Sequence, residues 1–382
     1  MVKTEGGLTD FVRSGDTAII TGPYGTSIKY LVEKQQKKGF RVFPHIGEGC
    51  SALIGDGQEL LLNVTSAYLD SIDPDQALIL VTDSFRLAKQ NLESLADEEG
   101  YDSGFAEKGL LLVMRSNEIA VKALERSNRN AINTFVAASI GPPFQCYRGD
   151  QMPLDISNKY LPQTFSTVRF TAPDYLMFET VPIIEAAIGA AEAFYLSHRP
   201  HDVEQSAADF KSSLNKYMSF VLRNVSGSEK CPSYDRNSNT FSEIERDAEY
   251  VISLCMNKDG KVWGLDINEA IERFDDAIGA NRYYEPVGFG INCNSPEVTG
   301  WALDALSPEN RGRIIGVHVN ASNENDPLKY HKMTSNQAIP LEEFTPQLIG
   351  LGQRHDLVYI GGCCGTGPEH MKALGKALKK AA

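Results

Sequence analysis

"LVYIGGCCGTGPEH", residues 357–370, decides the fold. It opens on an apolar run, breaks at paired glycines, and passes through Pro368 into "PEHMKALGKALKK", whose apolar residues recur at helical spacing. Proline at the start and lysines at the end give that segment the polarity of a helix. A buried strand, a glycine-rich break and a helix make one β/α unit, and the same unit recurs upstream. The other runs are "TAIITGP" from Thr17, "ALILVTDSF" from Ala77, "INTFVAASIGPP" from Ile132, "DYLMFET" from Asp174, "YVISLCMN" from Tyr250, "VGFGINC" from Val287 and "RIIGVHVNAS" from Arg313. Nearly continuous apolar runs that alternate with helices read as buried parallel strands.

About eight such units is the count of a (β/α)8 barrel. A doubly wound sheet is the alternative, but it more often carries a Gly-rich phosphate loop after its first strand, and "GPYGT" at 22–26 is not G-x-G-x-x-G. Helices fit between the runs at "NEIAVKALERSNR" from Asn117, "IIEAAIGAAEAF" from Ile183 and "NEAIERFDDAI" from Asn268. The whole chain, 1–382, reads as one barrel domain. One interval is too long for a single helix, so residues 198–248 are expected to be an insertion between strands four and five. Its segment "DFKSSLNKYMSFVLRNV" has an apolar stripe that the barrel must cover, with a homodimer contact as the weaker alternative.

Hydrophobic residues make up 42% and charged residues 23% of the 382, ordinary for a globular protein. No apolar run reaches the roughly 20 residues needed to span a bilayer. A formal net charge of −13 argues against nucleic acid or an anionic membrane as partner. The polar opening "MVKTEGGLTDFVRSGD" is not of signal-peptide type, so a cytoplasmic location is expected. Seven cysteines, an odd and sparse set, do not form a disulfide framework. Cys50, Cys146, Cys231 and Cys255 read as small buried apolar residues.

In such barrels function gathers where the strands end. Those ends carry Thr21 to Thr26, Ser84, Glu179, Cys293, Asn320 to Ser322, Cys363 and Cys364. Strands six and eight are separated by one strand in a closed barrel, so Cys293, Cys363 and Cys364 can converge at its mouth. Three thiolates suit zinc, and three protein ligands leave the fourth position that catalytic zinc keeps open. A thiol substrate would fill that position and be held as a thiolate. Adjacent residues of a regular strand point to opposite faces, so the chain must break at Cys363 for both sulfurs to meet one ion. Gly361, Gly362 and Gly365 permit that break. Cysteine pairs beside glycines also occur as buried filler.

"GINC" at 290–293, "VNAS" at 319–322 and "GGCCGT" at 361–366 resemble the homocysteine S-methyltransferase family. Its members include betaine– and S-methylmethionine–homocysteine methyltransferases. "FETVPIIEAA" at 178–187, "GPYGT" at 22–26 and "TDSF" at 82–85 are similar to other segments of that family. The resemblance implies zinc on Cys293, Cys363 and Cys364, with homocysteine sulfur in the fourth position. It further implies methyl transfer from a small onium donor, such as S-methylmethionine or betaine, in methionine biosynthesis. Glu179 would bind the amino-acid ammonium; its alternative role is to cap the following helix. Gly22, Thr21, Ser84 and Asn320 would line the acceptor pocket. Two positions depart from the family pattern: its first loop usually reads Asp-Gly-x-x-Gly-Thr and here begins at Thr21, and its second usually ends Thr-Asn-Thr-Phe where this chain has "TDSF". The rival readings are the same chemistry on another thiol or selenol, a demethylase for an unusual onium compound, and a zinc-stabilised binding barrel without turnover.

Overall fold

The computed structural model describes residues 7–22, 55–85, 109–127, 133–199 (172 apart), 249–326 and 339–381, and a few isolated positions, among them 234–235 and 240–241. Eight strands form a closed parallel barrel in chain order. They are β1 (Ala18–Ile20), β2 (Leu78–Val81), β3 (Thr134–Ile140), β4 (Tyr175–Val181), β5 (Glu249–Leu254), β6 (Gly288–Asn292), β7 (Ile314–Val319) and β8 (Tyr359–Gly362), with β8 returning to β1. The (β/α)8 architecture expected from the apolar runs is therefore present. Six of the strands lie inside their quoted runs; β4 and β5 each overrun theirs by one residue, at Val181 and Glu249.

The fifth strand begins at Glu249, one residue before the expected Tyr250. β4 pairs directly with β5, Tyr175 opposite Glu249 and Phe178 opposite Ile252. Among the described residues, none between them adds a strand to the barrel. The proposed insertion at 198–248 falls almost wholly outside the described residues, except for a short antiparallel hairpin pairing Tyr234 with Phe241. Cys50, Cys231, Tyr24 and the stripe of 209–225 lie outside them too.

Nine helices are described: α1 (Leu8–Ser14), α2 (Gly55–Ser71), α3 (Gly109–Arg126), α4 (Ile156–Ser166), α5 (Ile184–His198), α6 (Ile267–Asn281), α7 (Pro296–Asp304), α8 (Leu341–Arg354) and α9 (Pro368–Ala381). α3 starts eight residues before the expected Asn117, because the contiguous run "LLLV" hides its helical period. α4 and α8 escape sequence reading for a related reason. Each contains a proline, Pro162 and Pro346, at positions that normally end a helix.

Two apolar layers result. The larger lies between strands and helices, and the smaller fills the barrel with Ile20, Ile79, Val81, Phe135, Ala137, Tyr175, Met177 and Val251. α1 closes the bottom of the barrel. Leu8 is buried, and Phe11 stacks at a tilt on Phe135 with ring centroids 5.3 Å apart. The Glu249 carboxylate, at the start of β5, accepts hydrogen bonds from the Leu8 and Thr9 amides at 2.6 and 3.0 Å and so caps α1.

Two glycines are fixed by close approach. A Cβ at Gly361 would overlap the Ile20 carbonyl oxygen, and one at Gly290 would overlap the Tyr359 hydroxyl. Gly361→Ala and Gly290→Ala should each destabilise the barrel by about 1–3 kcal/mol in urea unfolding. Gly312→Ala, where an added methyl meets nothing within 4 Å, should stay close to the parent.

Candidate metal centre

β8 ends at Gly362, and the chain turns at once. Thr366 donates from its amide to the Cys363 carbonyl at 3.1 Å and from its hydroxyl to the same oxygen at 2.7 Å. Gly365 has φ +81°, the sign that the third residue of a type II turn requires. Cys363 and Cys364 thus occupy a turn, and the alternation of a strand no longer separates their side chains. The expected break is present one residue after the strand.

Cys293 reaches the same place by another route. It follows β6 directly and takes a left-handed backbone, φ +57°, which a non-glycine residue adopts at a cost of about 1–3 kcal/mol. Its amide donates to the His318 carbonyl of β7 at 3.0 Å. Thr180, at the end of β4, has φ +56°. The Asn292 side chain ties the two irregular ends together, accepting from the Thr180 amide and donating to its hydroxyl, both at 2.8 Å. Asn294 clamps the end of β5 in the same way through both backbone groups of Met256.

The result is a sulfur cluster. Among the described residues, Cys293, Cys363 and Cys364 form the group that could hold a metal, with all three Sγ atoms within 4.8 Å of one another. Cys293 and Cys363 sulfurs lie 3.0 Å apart. Tetrahedral Zn–S bonds of about 2.3 Å place two sulfurs about 3.8 Å apart, which lies between those separations, so small side-chain rotations suffice. Cys293 and Cys363 are buried and Cys364 is half-buried, which leaves one side of the trio toward the mouth. Hydrogen bonds from Cys363 and Cys364 pull the Cys293 thiol well below its ordinary value, and the same contacts push Cys363 well above it. The Cys293 thiolate is thus favoured beside a protonated Cys363.

Two further cysteines join this cluster. Cys146, in the loop after β3, and Cys255, directly after β5, pack with Tyr147, Phe85 and the trio. Burial holds Cys255 and Tyr147 well above their ordinary values, so both stay protonated beside the trio. Tyr147 and Thr180 hydroxyls hydrogen-bond the Cys293 sulfur. Sequence reading placed Cys146 and Cys255 as buried apolar residues. They are buried, but at the site. Cys255 was legible as a strand-end residue; Cys146 and Tyr147 sit in a loop with no such marker.

The remaining candidates divide. Glu179 is 5% exposed, at the barrel mouth, where Ser139 donates to one carboxylate oxygen and His318 Nδ1 to the other at 3.2 Å. Both carboxylate oxygens are thus engaged inside the barrel, and α5 begins at Ile184 with Ile183 as an N-cap residue that makes no side-chain cap. Asn320 accepts from the Cys364 amide at 2.9 Å, and its Nδ2 is buried with no hydrogen-bond partner among the described residues. Gly22 packs under the cysteine turn, where a Cβ would meet Thr366 Oγ1 at 2.9 Å. Thr21 and Ser84 are tied into the wall: Thr21 Oγ1 accepts from the Val81 amide at 3.0 Å, and Ser84 donates to the Ser139 carbonyl at 2.6 Å.

A family model described as homocysteine S-methyltransferase matches residues 18–378. Among solved structures, the chain is similar to the homocysteine methyltransferase MmuM from Escherichia coli. The metallated form aligns at 18% identity over 96% of this chain and 98% of that one, with a TM-score of 0.58. The oxidized form aligns at 18% identity over 96% of each chain, with a TM-score of 0.56. At these identities the structural likeness speaks for the fold.

Asn320→Ala would leave the half-buried Cys364 amide without its acceptor. Removing such a support typically weakens a metal site 10- to 100-fold. Titration with cobalt(II), followed by the thiolate-to-cobalt charge-transfer band, should show that loss. Unchanged affinity would remove Asn320 from the scaffold of the cluster.

Proposed function

The chain belongs to the homocysteine S-methyltransferase family, and on that premise we propose that it is a zinc-dependent methyltransferase moving a methyl group from a small onium donor to the thiol of homocysteine, giving methionine. The observation that carries the reading is the convergence of Cys293, Cys363 and Cys364 at the barrel mouth, with backbone at Cys293 held out of its relaxed conformation to achieve it. Structural zinc is usually closed by four protein ligands, whereas three suit a catalytic ion with a position for substrate. S-methylmethionine and betaine fit the donor class, because a sulfonium or ammonium carbon is open to in-line attack by a thiolate.

Cys293, Cys363 and Cys364 would hold the ion. When bound, zinc supplies a Lewis acid that lowers the pKa of the acceptor thiol. The chain's own residues do the positioning. Glu179 offers a carboxylate to the acceptor ammonium, and the free Asn320 Nδ2 offers a donor to its polar end. Gly22 leaves space beside the cysteine turn, while Thr21 and Ser84 keep the first two strand ends in register. In the transfer, the acceptor sulfur forms a bond to the methyl carbon as the bond from that carbon to the donor heteroatom breaks. The bonding pair leaves with the heteroatom, which loses its positive charge, and the acceptor's thiol proton goes to solvent. Fixed geometry, more than acid–base chemistry, carries such a reaction.

A second reading draws on Thr21. The first strand ends without the acid of the family pattern, and its hydroxyl is engaged with β2. That arrangement favours an acceptor less dependent on two carboxylates, such as another thiol or a selenol.

Protein purified without chelator should carry about one zinc per chain, and Cys364→Ser should lower that content. A panel of S-methylmethionine, betaine and other onium donors with homocysteine, read as methionine formed, tests the reaction; no product with any donor would sink the homocysteine reading. Glu179→Ala should raise the acceptor KM strongly at little change in melting temperature, since a charge-assisted contact is worth about 1.5–3 kcal/mol. Unfolding of that variant with normal acceptor binding would return Glu179 to a structural role.

A further inference from the structure

The inside of the barrel changes character at its upper end. Residues two apart on a strand share a face, so Tyr175, Met177 and Glu179 stack inward along β4, and Phe135, Ala137 and Ser139 along β3. On β7 the inward positions are Gly316 and His318, because the Tyr359 ring fills the space that a side chain at Gly316 would take. The lower layers are almost wholly apolar. The upper one brings together Ser139, Glu179 and His318.

This trio crosses the barrel. β3 and β4 are neighbours, but β7 lies three strands on from β4. Glu179 therefore extends over the barrel axis, with Ser139 donating to one oxygen from its own side and His318 Nδ1 donating to the other, at 3.2 Å, from the far side. A carboxylate only accepts, so Nδ1 carries the hydrogen of this contact. His318 is 3% exposed, and its Nε2 has no hydrogen-bond partner among the described residues. Its neighbours in register leave it room: Gly361 on β8 has no side chain, and the Asn292 side chain on β6 is bonded to Thr180.

We propose that His318 is a positioning residue for acceptor recognition: with Ser139 it holds the Glu179 carboxylate across the barrel axis, oriented to meet an amino-acid ammonium. This rests on the reading of Glu179 as the ammonium contact. The chemistry of an imidazole suits the task. Arginine or lysine at position 318 would place a permanent cation against the carboxylate and compete with the substrate's own, whereas an imidazole N–H fixes the group by a hydrogen bond alone. The first strand ends at Thr21, where the family pattern has an acid, so Glu179 is the carboxylate on which this recognition is argued. A carboxylate free to rotate would lose affinity to the entropy of being ordered on binding.

Titration calorimetry of the metal-loaded protein tests this without turnover, using homocysteine and 4-sulfanylbutanoate, which is homocysteine without its amino group. His318→Leu should weaken homocysteine binding about 10- to 100-fold, the range for a hydrogen bond to a charged group, and leave 4-sulfanylbutanoate unchanged. His318→Asn, whose amide nitrogen can stand where Nδ1 stood, should restore binding to within about threefold of the parent. In a Glu179→Gln background, His318→Leu should add little, because the two residues act as one unit. Equal weakening of both ligands, or full additivity with Glu179→Gln, would overturn the proposal. If Glu179→Gln weakens homocysteine binding but His318→Leu does not, the proposal fails and the reading of Glu179 stands. If Glu179→Gln has no effect, both fall. Should His318→Leu not fold, His318→Asn is compared with His318→Gln, which moves the donor to the place of Nε2. Weaker homocysteine binding by His318→Gln alone is expected, and equal binding by the two would overturn the proposal.

Discussion

Three sulfurs from two strands that do not touch must reach one point, and the upper end of the barrel is built around that demand. β7 separates β6 from β8 and acts as the template. Its backbone takes the Cys293 amide at the His318 carbonyl and the Cys363 amide at the Val319 carbonyl, and Asn320 just beyond it takes the Cys364 amide. All three cysteines are thus registered against one segment, 318–320. The side chains can then differ in route, one through a left-handed residue and two through a glycine turn, and still meet.

That convergence is unfavourable by itself. A left-handed Cys293 and a left-handed Thr180 each carry strain of about 1–3 kcal/mol, and crowding three ionisable thiols adds to it. The surrounding polar network offsets this. Asn292, Asn294 and Asn320 each spend their side chains on neighbouring backbone rather than on solvent. At Asn292 and Asn294 one amide both donates and accepts, so it can clamp strand ends that no longer pair regularly, whereas Asn320, among the described residues, only accepts. A metal would release the remaining tension by neutralising the thiolates, which makes its affinity and the local fold one equilibrium.

Much of this was legible in the amino-acid order. Strands buried on both faces must be nearly all apolar, so each announced itself as a run, and "GGCCGT" showed that two sulfurs would share a turn. What escaped has a common cause. Cys146 and Cys255 look like ordinary buried cysteines, and His318 is simply one residue of the seventh apolar run, because nothing near them in sequence marks their partners. Those partners lie across the barrel, 139 residues away in the case of His318 and Glu179. Helices α4 and α8 were hidden by internal prolines, which burial against the barrel outweighs.

The layering of the barrel interior explains why a charge can sit at its centre at all. A carboxylate at the level of Met177 would be packed among Val251, Ala137 and Ile79, side chains with nothing to donate. One layer higher, at Glu179, the strands end, side chains of Ser139 and His318 reach in, and the cysteine turn stands nearby. The step from apolar to polar occupies a single pleat, two residues along each strand. A shift of β4 by one residue would turn Glu179 outward into the helix layer and bring Phe178 to the mouth, removing the carboxylate proposed to meet the acceptor and opening the core together. Strand register, set by the apolar layers below, therefore also sets where the barrel can recognise a charged substrate.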